Sequence, residues 1–348
     1  MIQTKITRTL TLAGVVPAGK LSHSYRSLLP VLALCVATAA WSQTTFGLSG
    51  RSPMRGKSGM VRLATPAAAT PASAQYQFIN IEIQGSTGAD AFNINDGRLV
   101  TGDYFDASGN GHGFLWRDGS VQTLDHPSSL DTLPSATNNL GVGIGVYGDS
   151  TTGRAATYSL ASGAWITLPD ISGMPVNYGD NINDLGVAVG IAGSGGLPFD
   201  YTCTVAWIWD PFKSAYSFFS APGAANGSTC ANGINDLGQV AGGYYDASGM
   251  VHGFLKDGES YTTFEVPGAG AGGTGANQIN NKGEIAGGWY DASGYLHGYV
   301  RSAAGQFTIV DVPGTSGSAV YGINDRGDIC GTWLDSSGVA HAYVALKR

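Results

Sequence analysis

Ile234-Asn-Asp-Leu-Gly-Gln-Val-Ala-Gly-Gly-Tyr-Tyr-Asp-Ala-Ser-Gly-Met-Val-His-Gly-Phe254 decides the fold, because the chain repeats it. A second near-complete copy runs from Ile279 to Tyr299, and looser copies start at Ile94, Ile182 and Ile323. A degenerate copy has Thr137 in the isoleucine place. Successive anchors are 43, 45, 52, 45 and 44 residues apart. A period of about 44 residues is that of propeller blades, not of the helical repeats near 33 or 34.

Each copy reads as four short strands. In the clearest, Ala231 to Asn235 is a first strand, Asp236-Leu237-Gly238 a turn, and Gln239 to Tyr245 a second strand. Asp246 to Gly249 turns the chain again, Val251 to Leu255 is a third strand, Asp257-Gly258 a hairpin, and Tyr261 to Val266 a fourth. Such a meander cannot bury both faces alone, and radial stacking of neighbours buries them. The sixth unit ends after its third strand, near Val344, while Tyr76 to Ile83 resembles a fourth strand without a unit. The expected architecture is therefore an all-β, six-bladed propeller of four-stranded antiparallel blades, its ring closed by the N-terminal strand. Its units start near 91, 135, 179, 231, 276 and 320, within a body spanning 75–348.

Charge and composition divide the rest. Residues 1–74 hold eight Lys or Arg and no acid, which leaves ten basic and twenty-five acidic residues beyond. An acidic body repels phosphate backbones, so nucleic-acid binding is disfavoured. Leu28 to Ala40 is apolar, follows Lys20 and Arg26, and ends in Thr38-Ala39-Ala40. This describes a signal peptide over 1–42 with cleavage near 40, and a run too short for a stable membrane span. An acid-free leader containing Ser and Arg also fits an organellar transit peptide. Residues 43–74, rich in Ala, Ser, Pro and Gly, read as a flexible linker. The expected location is secreted or periplasmic.

His-Gly-Phe at 252–254, His-Gly-Tyr at 297–299 and His-Ala-Tyr at 341–343 each follow an Ile-Asn-x-x-Gly, and His-Gly-Phe at 112–114 follows the variant Ile94-Asn-Asp-Gly97. In this the chain resembles the bacterial extracellular HAF-repeat family over roughly residues 77–348, although units two and three lack the His triplet. The resemblance implies a secreted repeat protein and implies no reaction.

Chemistry-bearing residues are dispersed. The histidines occur once per unit, whereas a metal needs convergent ligands, so a structural role is expected for each. Asp106, Asp246, Asp291 and Asp335 invite a Ca²⁺ reading, but each turn offers one carboxylate where a calcium loop supplies five or more ligands; no cofactor is expected. No nucleophile elbow or catalytic triad order stands out. Cys203 and Cys230 flank the one long connection, where export would permit a disulfide, two separate thiols being the alternative. Cys330 stands where Ala241 and Ala286 stand in other units, a small buried position.

A ligand is expected at the loop face of the disc. The starts of the inner strands (Asn93, Ala136, Asn181, Asn232, Asn277, Tyr321) and aromatics at the second-strand ends (Tyr104, Tyr245, Trp289, Tyr290, Trp333) suit sugar or peptide recognition. Regularly repeated aromatics also serve as packing between blades. The expected function is thus a non-catalytic recognition module for a glycan or partner protein. The alternatives are a secreted hydrolase or lyase with its site at the central channel, and a structural or adhesive surface protein. No sequence feature fixes the oligomeric state.

Overall fold

The computed structural model describes residues 75–129, 131–148, 153–193, 204–225 and 228–348. The expected leader and linker, and Cys203, lie outside the described residues. Among these residues there are twenty-four strands and no α-helix, and no helix is long and apolar enough to cross a membrane.

After β1 (Tyr76–Asn80), strands come in five sets of four and a last set of three. Unit 1 holds β2 (Gly88–Ile94), β3 (Val100–Phe105), β4 (Gly111–Arg117) and β5 (Ser120–Thr123). Unit 2 holds β6 (Asp131–Thr137), β7 (Val142–Gly148), β8 (Gly153–Ser159) and β9 (Trp165–Thr167). Unit 3 holds β10 (Val176–Ile182), β11 (Ala188–Gly193), β12 (Thr204–Asp210) and β13 (Ala215–Phe219). Unit 4 holds β14 (Thr229–Ile234), β15 (Val240–Tyr245), β16 (Val251–Asp257) and β17 (Ser260–Phe264). Unit 5 holds β18 (Thr274–Ile279), β19 (Ile285–Tyr290), β20 (Leu296–Arg301) and β21 (Phe307–Val310). Unit 6 holds β22 (Gly317–Ile323), β23 (Ile329–Leu334) and β24 (Ala340–Lys347).

Units 1, 4 and 5 are separate four-stranded antiparallel sheets in sequence order. In unit 6 the fourth place is taken by β1, which pairs antiparallel with β24 from Tyr76↔Lys347 to Asn80↔Tyr343. Units 2 and 3 are likewise antiparallel meanders, joined by a single parallel bridge between Val176 and Gly153.

The first strands begin two to four residues earlier than hydrophobic alternation suggests, at Gly88, Asp131, Val176, Thr229, Thr274 and Gly317. A bulge explains the difference. In every unit the first ladder slips at one residue: Phe92, Ser135, Asp180, Asn232, Asn277 or Tyr321. An extra residue reverses the inward–outward pattern, so period-two reading ends where the strand continues.

The hydrophobic core lies in the seams between units. Tyr343 of unit 6 packs with Ala286 and Val310 of unit 5, and Trp207 of unit 3 with Ile144 and Leu168 of unit 2. Cys330 is fully buried beside Ala91 and Val344, as its alanine counterparts implied. Cys230 is disulfide-bonded.

Candidate functional site

Each first strand is followed directly by Asn-Asp or Asn-Asn, and these pairs converge at one mouth of the assembly. The first asparagine folds back on its own turn: Asn183 Oδ1, for example, accepts from the Leu185 and Val187 N–H groups at 3.1 and 3.0 Å. Its amide then reaches the next unit. Asn95 Nδ2 donates to Asn138 O, Asn138 to Asn183, Asn183 to Asn235, Asn235 to Asn280, Asn280 to Asn324, and Asn324 back to Asn95 O, all at 2.9–3.1 Å.

A second circuit lies alongside. The backbone N–H of Asp96 donates to Asn139 Oδ1, and the relay continues through Asp184, Asp236, Asn281 and Asp325 to Asp96 Oδ1, at 2.7–2.8 Å. The Asn139 and Asn281 amides each bridge the two flanking carboxylates. These side chains surround a narrow space with no Lys or Arg in its lining. Sequence reading put Asn235 at the end of the first strand and Asp236 in the turn after it, and gave the pair no further role. The available signal was unit 2, which has lost the anchor isoleucine yet keeps Asn138-Asn139.

The opposite face carries the aspartate turns. Asp246 Oδ1 accepts the Ser248 and Met250 N–H groups at 2.8 and 2.9 Å, and Asp106, Asp291 and Asp335 do the same in their turns. The second oxygen faces the unit's histidine. His252 lies between Asp246 Oδ2 (3.2 Å) and Glu265 Oε1 (2.5 Å), His112 between Asp106 (3.6 Å) and Asp125 (2.9 Å), and His297 between Asp291 (3.6 Å) and Asp311 (3.0 Å). His341 has Asp335 at 3.3 Å.

Each ring also stacks on a second-strand aromatic: His112 on Tyr104 (5.1 Å), His252 on Tyr244 (5.1 Å), His297 on Trp289 (4.9 Å) and His341 on Trp333 (4.2 Å). Unit 2 places Arg154 at the histidine register, and His126, from the preceding connection, stacks on Tyr147 at 3.7 Å instead. Burial lowers the affinity of His112 for its proton, but hydrogen bonds and charge from Asp125 and Asp106 outweigh it and the pKa is raised. Turn hydrogen bonds, that to Asn110 foremost, hold Asp106 down at about 2. Among the described residues no group of three or more His, Cys, Asp or Glu side chains is arranged to hold a metal ion.

The expected ligand residues fall in three places. Asn93 and Asn181 sit beside the Asn-Asp mouth, away from the aspartate turns where they were expected, because the inner strands start earlier than the alternation indicates. Asn93 Oδ1 accepts from the Thr137 N–H. Asn232, Asn277 and Tyr321 occupy the bulge position one residue deeper, where the two asparagine amides donate to Ala276 O and Val320 O, and Tyr321 packs on Phe92 at 6.0 Å. Tyr245, Trp289 and Trp333 are half-buried at the ends of the second strands. Trp289 and Trp333 join the histidine face, and Trp333 Nε1 also donates to Asn80 Oδ1.

Sequence reading did not find the buried acids. Asp90 and Asp103 face each other across the β2–β3 ladder and Asp180 occupies the unit 3 bulge, at 7%, 0% and 2% exposure. Asp90 accepts from Thr332 Oγ1 at 2.5 Å, while neither Asp103 oxygen has a partner among the described residues. Burial raises Asp90 to about 6 and lifts Asp103 and Asp180 well above the usual carboxylate range, the Asp90 charge adding to the effect on Asp103. Such carboxyls hold a proton more tightly folded than unfolded. Their protonated form supports the fold in acid, and that support is lost as pH rises through the folded pKa.

Asp103→Val, which copies Val146 at the same register of unit 2, is therefore expected to stabilise the protein by about 1–3 kcal/mol at pH 7. Thermal melts between pH 4 and 8 test this: the variant's advantage should grow with pH. An advantage that is absent, or constant across that range, would show that Asp103 is not a buried burden.

Comparison places this geometry among known folds. No family model matches the chain, and no curated protein matches it. The gluconolactonase XC5397 of Xanthomonas campestris superposes with a TM-score of 0.53 at 14% identity, over 83% of this chain and 99% of that one. A putative TolB of Agrobacterium tumefaciens gives 0.50 at 11% identity, over 78% and 96%. SapL1 lectin, solved with α-methyl fucoside, gives 0.47 at 13%, over 75% and 94%. At these identities the likeness concerns fold alone, and the fold is of the β-propeller kind.

Proposed function

We propose that this chain is an exported six-bladed propeller of the HAF-repeat type, its last blade completed by β1, acting as a non-catalytic recognition module for a glycan or partner protein. The two hydrogen-bond circuits that return to Asn95 and Asp96 support six blades in a ring. One observation carries the functional reading: units 4, 5, 6 and 1 present four stacked aromatic–histidine pairs flanked by carboxylates on one face. Three of the aromatic rings, Tyr104, Trp289 and Trp333, are half-buried while Tyr244 is buried, and partly exposed rings beside fixed hydrogen-bonding groups suit a sugar or peptide, which needs stacking and directed polar contacts together.

The test is binding of the purified protein to a broad glycan array, with and without EDTA. Saturable binding to one sugar class, weakened at least about tenfold by combined Trp289→Ala and Trp333→Ala substitution, is the expected result. Loss with EDTA would assign Ca²⁺ to the aspartate turns. A blank array together with blank partner pull-downs would overturn the recognition reading.

The hydrolase alternative has a candidate acid in Asp90, which burial raises to about 6 beside Asp103, with both carboxyls closed off from solvent in this structure. Turnover of a polysaccharide that Asp90→Asn abolishes would establish it.

A further inference from the structure

Unit 2 departs from the other units at four positions that act together. Thr137 replaces the anchor isoleucine, Gly143 stands where other units have Val100, Ala188, Val240, Ile285 or Ile329, and Ala156 replaces the third-strand aromatic. Tyr158 takes the register held by Trp116, Trp209, Lys256, Arg301 and Ala345 in the other units. Gly143 admits the Tyr158 ring, which a Cβ there would meet at 2.0 Å. The hydroxyl is then held by Thr137 Oγ1 at 2.7 Å and donates to Ala136 O at 3.0 Å.

The inward swing empties a seam that units 4 and 5 fill with a cation over a ring. Between units 3 and 4, Lys256 lies 5.6 Å over Phe219, and between units 4 and 5, Arg301 lies 4.6 Å over Phe264. At the seam of units 1 and 2 the same two registers hold Leu124 and the withdrawn Tyr158. A cleft of about 400 Å³ remains, with Leu115, Leu124 and Tyr158 in its wall.

Half-buried Trp165 also lines it, braced by Tyr158 at 4.7 Å and by His126 edge-on at 5.3 Å. Ser159 and the exposed Arg117 supply polar groups, and Arg117 is the one charged residue in the lining of a cleft on an otherwise acidic body. A cavity of this size with an apolar wall, a braced aromatic and few polar groups is built like a small-ligand site. A guanidinium fork matches a carboxylate.

We propose that this cleft binds a pyranose-sized sugar residue carrying a carboxylate, its ring against Trp165 and its carboxylate on Arg117. The proposal rests on the recognition reading and adds a site that the aspartate-turn face does not include. Titration calorimetry of the full chain with a glucuronate-containing oligosaccharide, against a neutral glucose oligosaccharide of equal length, tests it.

The acidic probe should bind at least about tenfold tighter, and Arg117→Ala and Trp165→Ala should each weaken it by about tenfold or more. Arg117→Ala is an exposed substitution and should leave the melting temperature unchanged, which separates lost contact from lost fold. If both variants bind the acidic probe like wild type, the cleft is not the site although the recognition reading stands. A wild-type protein that binds neither probe overturns the cleft, and a glycan array blank as well removes the glycan form of the recognition reading with it.

Discussion

Deleting Gln75–Ile83 from the chain is expected to lower the melting temperature by more than about 10 °C, or to abolish cooperative melting. The segment gives unit 6 its fourth strand through the ladder with β24, extended by Ile81 N–H to Ala342 O at 2.9 Å. It also serves two seams. Tyr76 and Phe78 pack with Tyr343 and Val320, while Ile79, Ile81 and Ile83 pack with Phe114, Ala342 and Val344.

Burial of five apolar side chains, two fully and three in part, contributes about 5–8 kcal/mol. Domain stabilities are typically about 5–15 kcal/mol, so its loss removes much of the total. Differential scanning calorimetry reads the shift, and a synthetic Gln75–Ile83 peptide added in trans should restore part of it. A deleted chain melting within about 3 °C of wild type would sink the idea that the N-terminal strand locks the last unit.

Gly190→Ala should cost about 4 kcal/mol or more, although it adds one methyl group. The new Cβ would stand 1.9 Å from Tyr178 O and 2.5 Å from Trp207 Cζ2. The first obstacle is a backbone carbonyl in the paired strand and the second is the largest fully buried side chain. Neither moves without opening the ladder or the seam with unit 2. Urea unfolding measures the loss. A value within about 1 kcal/mol of wild type would mean that the ring of Trp207 does not lie over this strand.

Much of this could be read along the chain. Four strands per unit and the homeless strand at Tyr76 are legible because turn residues such as Asp246-Ala-Ser-Gly249 and period-two alternation act over five to ten residues. Legibility stops at the bulge. Asn93 stands one residue and Asn232 two residues ahead of the anchor isoleucine, so Asn93 pairs with Thr101 while Asn232 is the bulge residue, a distinction that only the folded ladder makes visible. The histidine's turn partner was within reach, six residues away in Asp246 and His252, and its second partner Glu265 was not, since that contact needs the fourth strand folded back.

By itself, the sequence determined the all-β class, the repeat length, the strand count per unit and the fourth-strand character of the first strand, since each follows from backbone rules satisfied locally. Tertiary structure alone decided the rest. The Asn circuits join residues 43 to 52 positions apart and, at the last step, 229 apart. The carboxyls of Asp90 and Asp103 became unusual only once burial removed water from both. The cleft at units 1 and 2 exists because Gly143 and Thr137 draw Tyr158 out of a seam opposite Leu124. Shared volume between sheets is set by side chains on both, and no stretch of one strand encodes it.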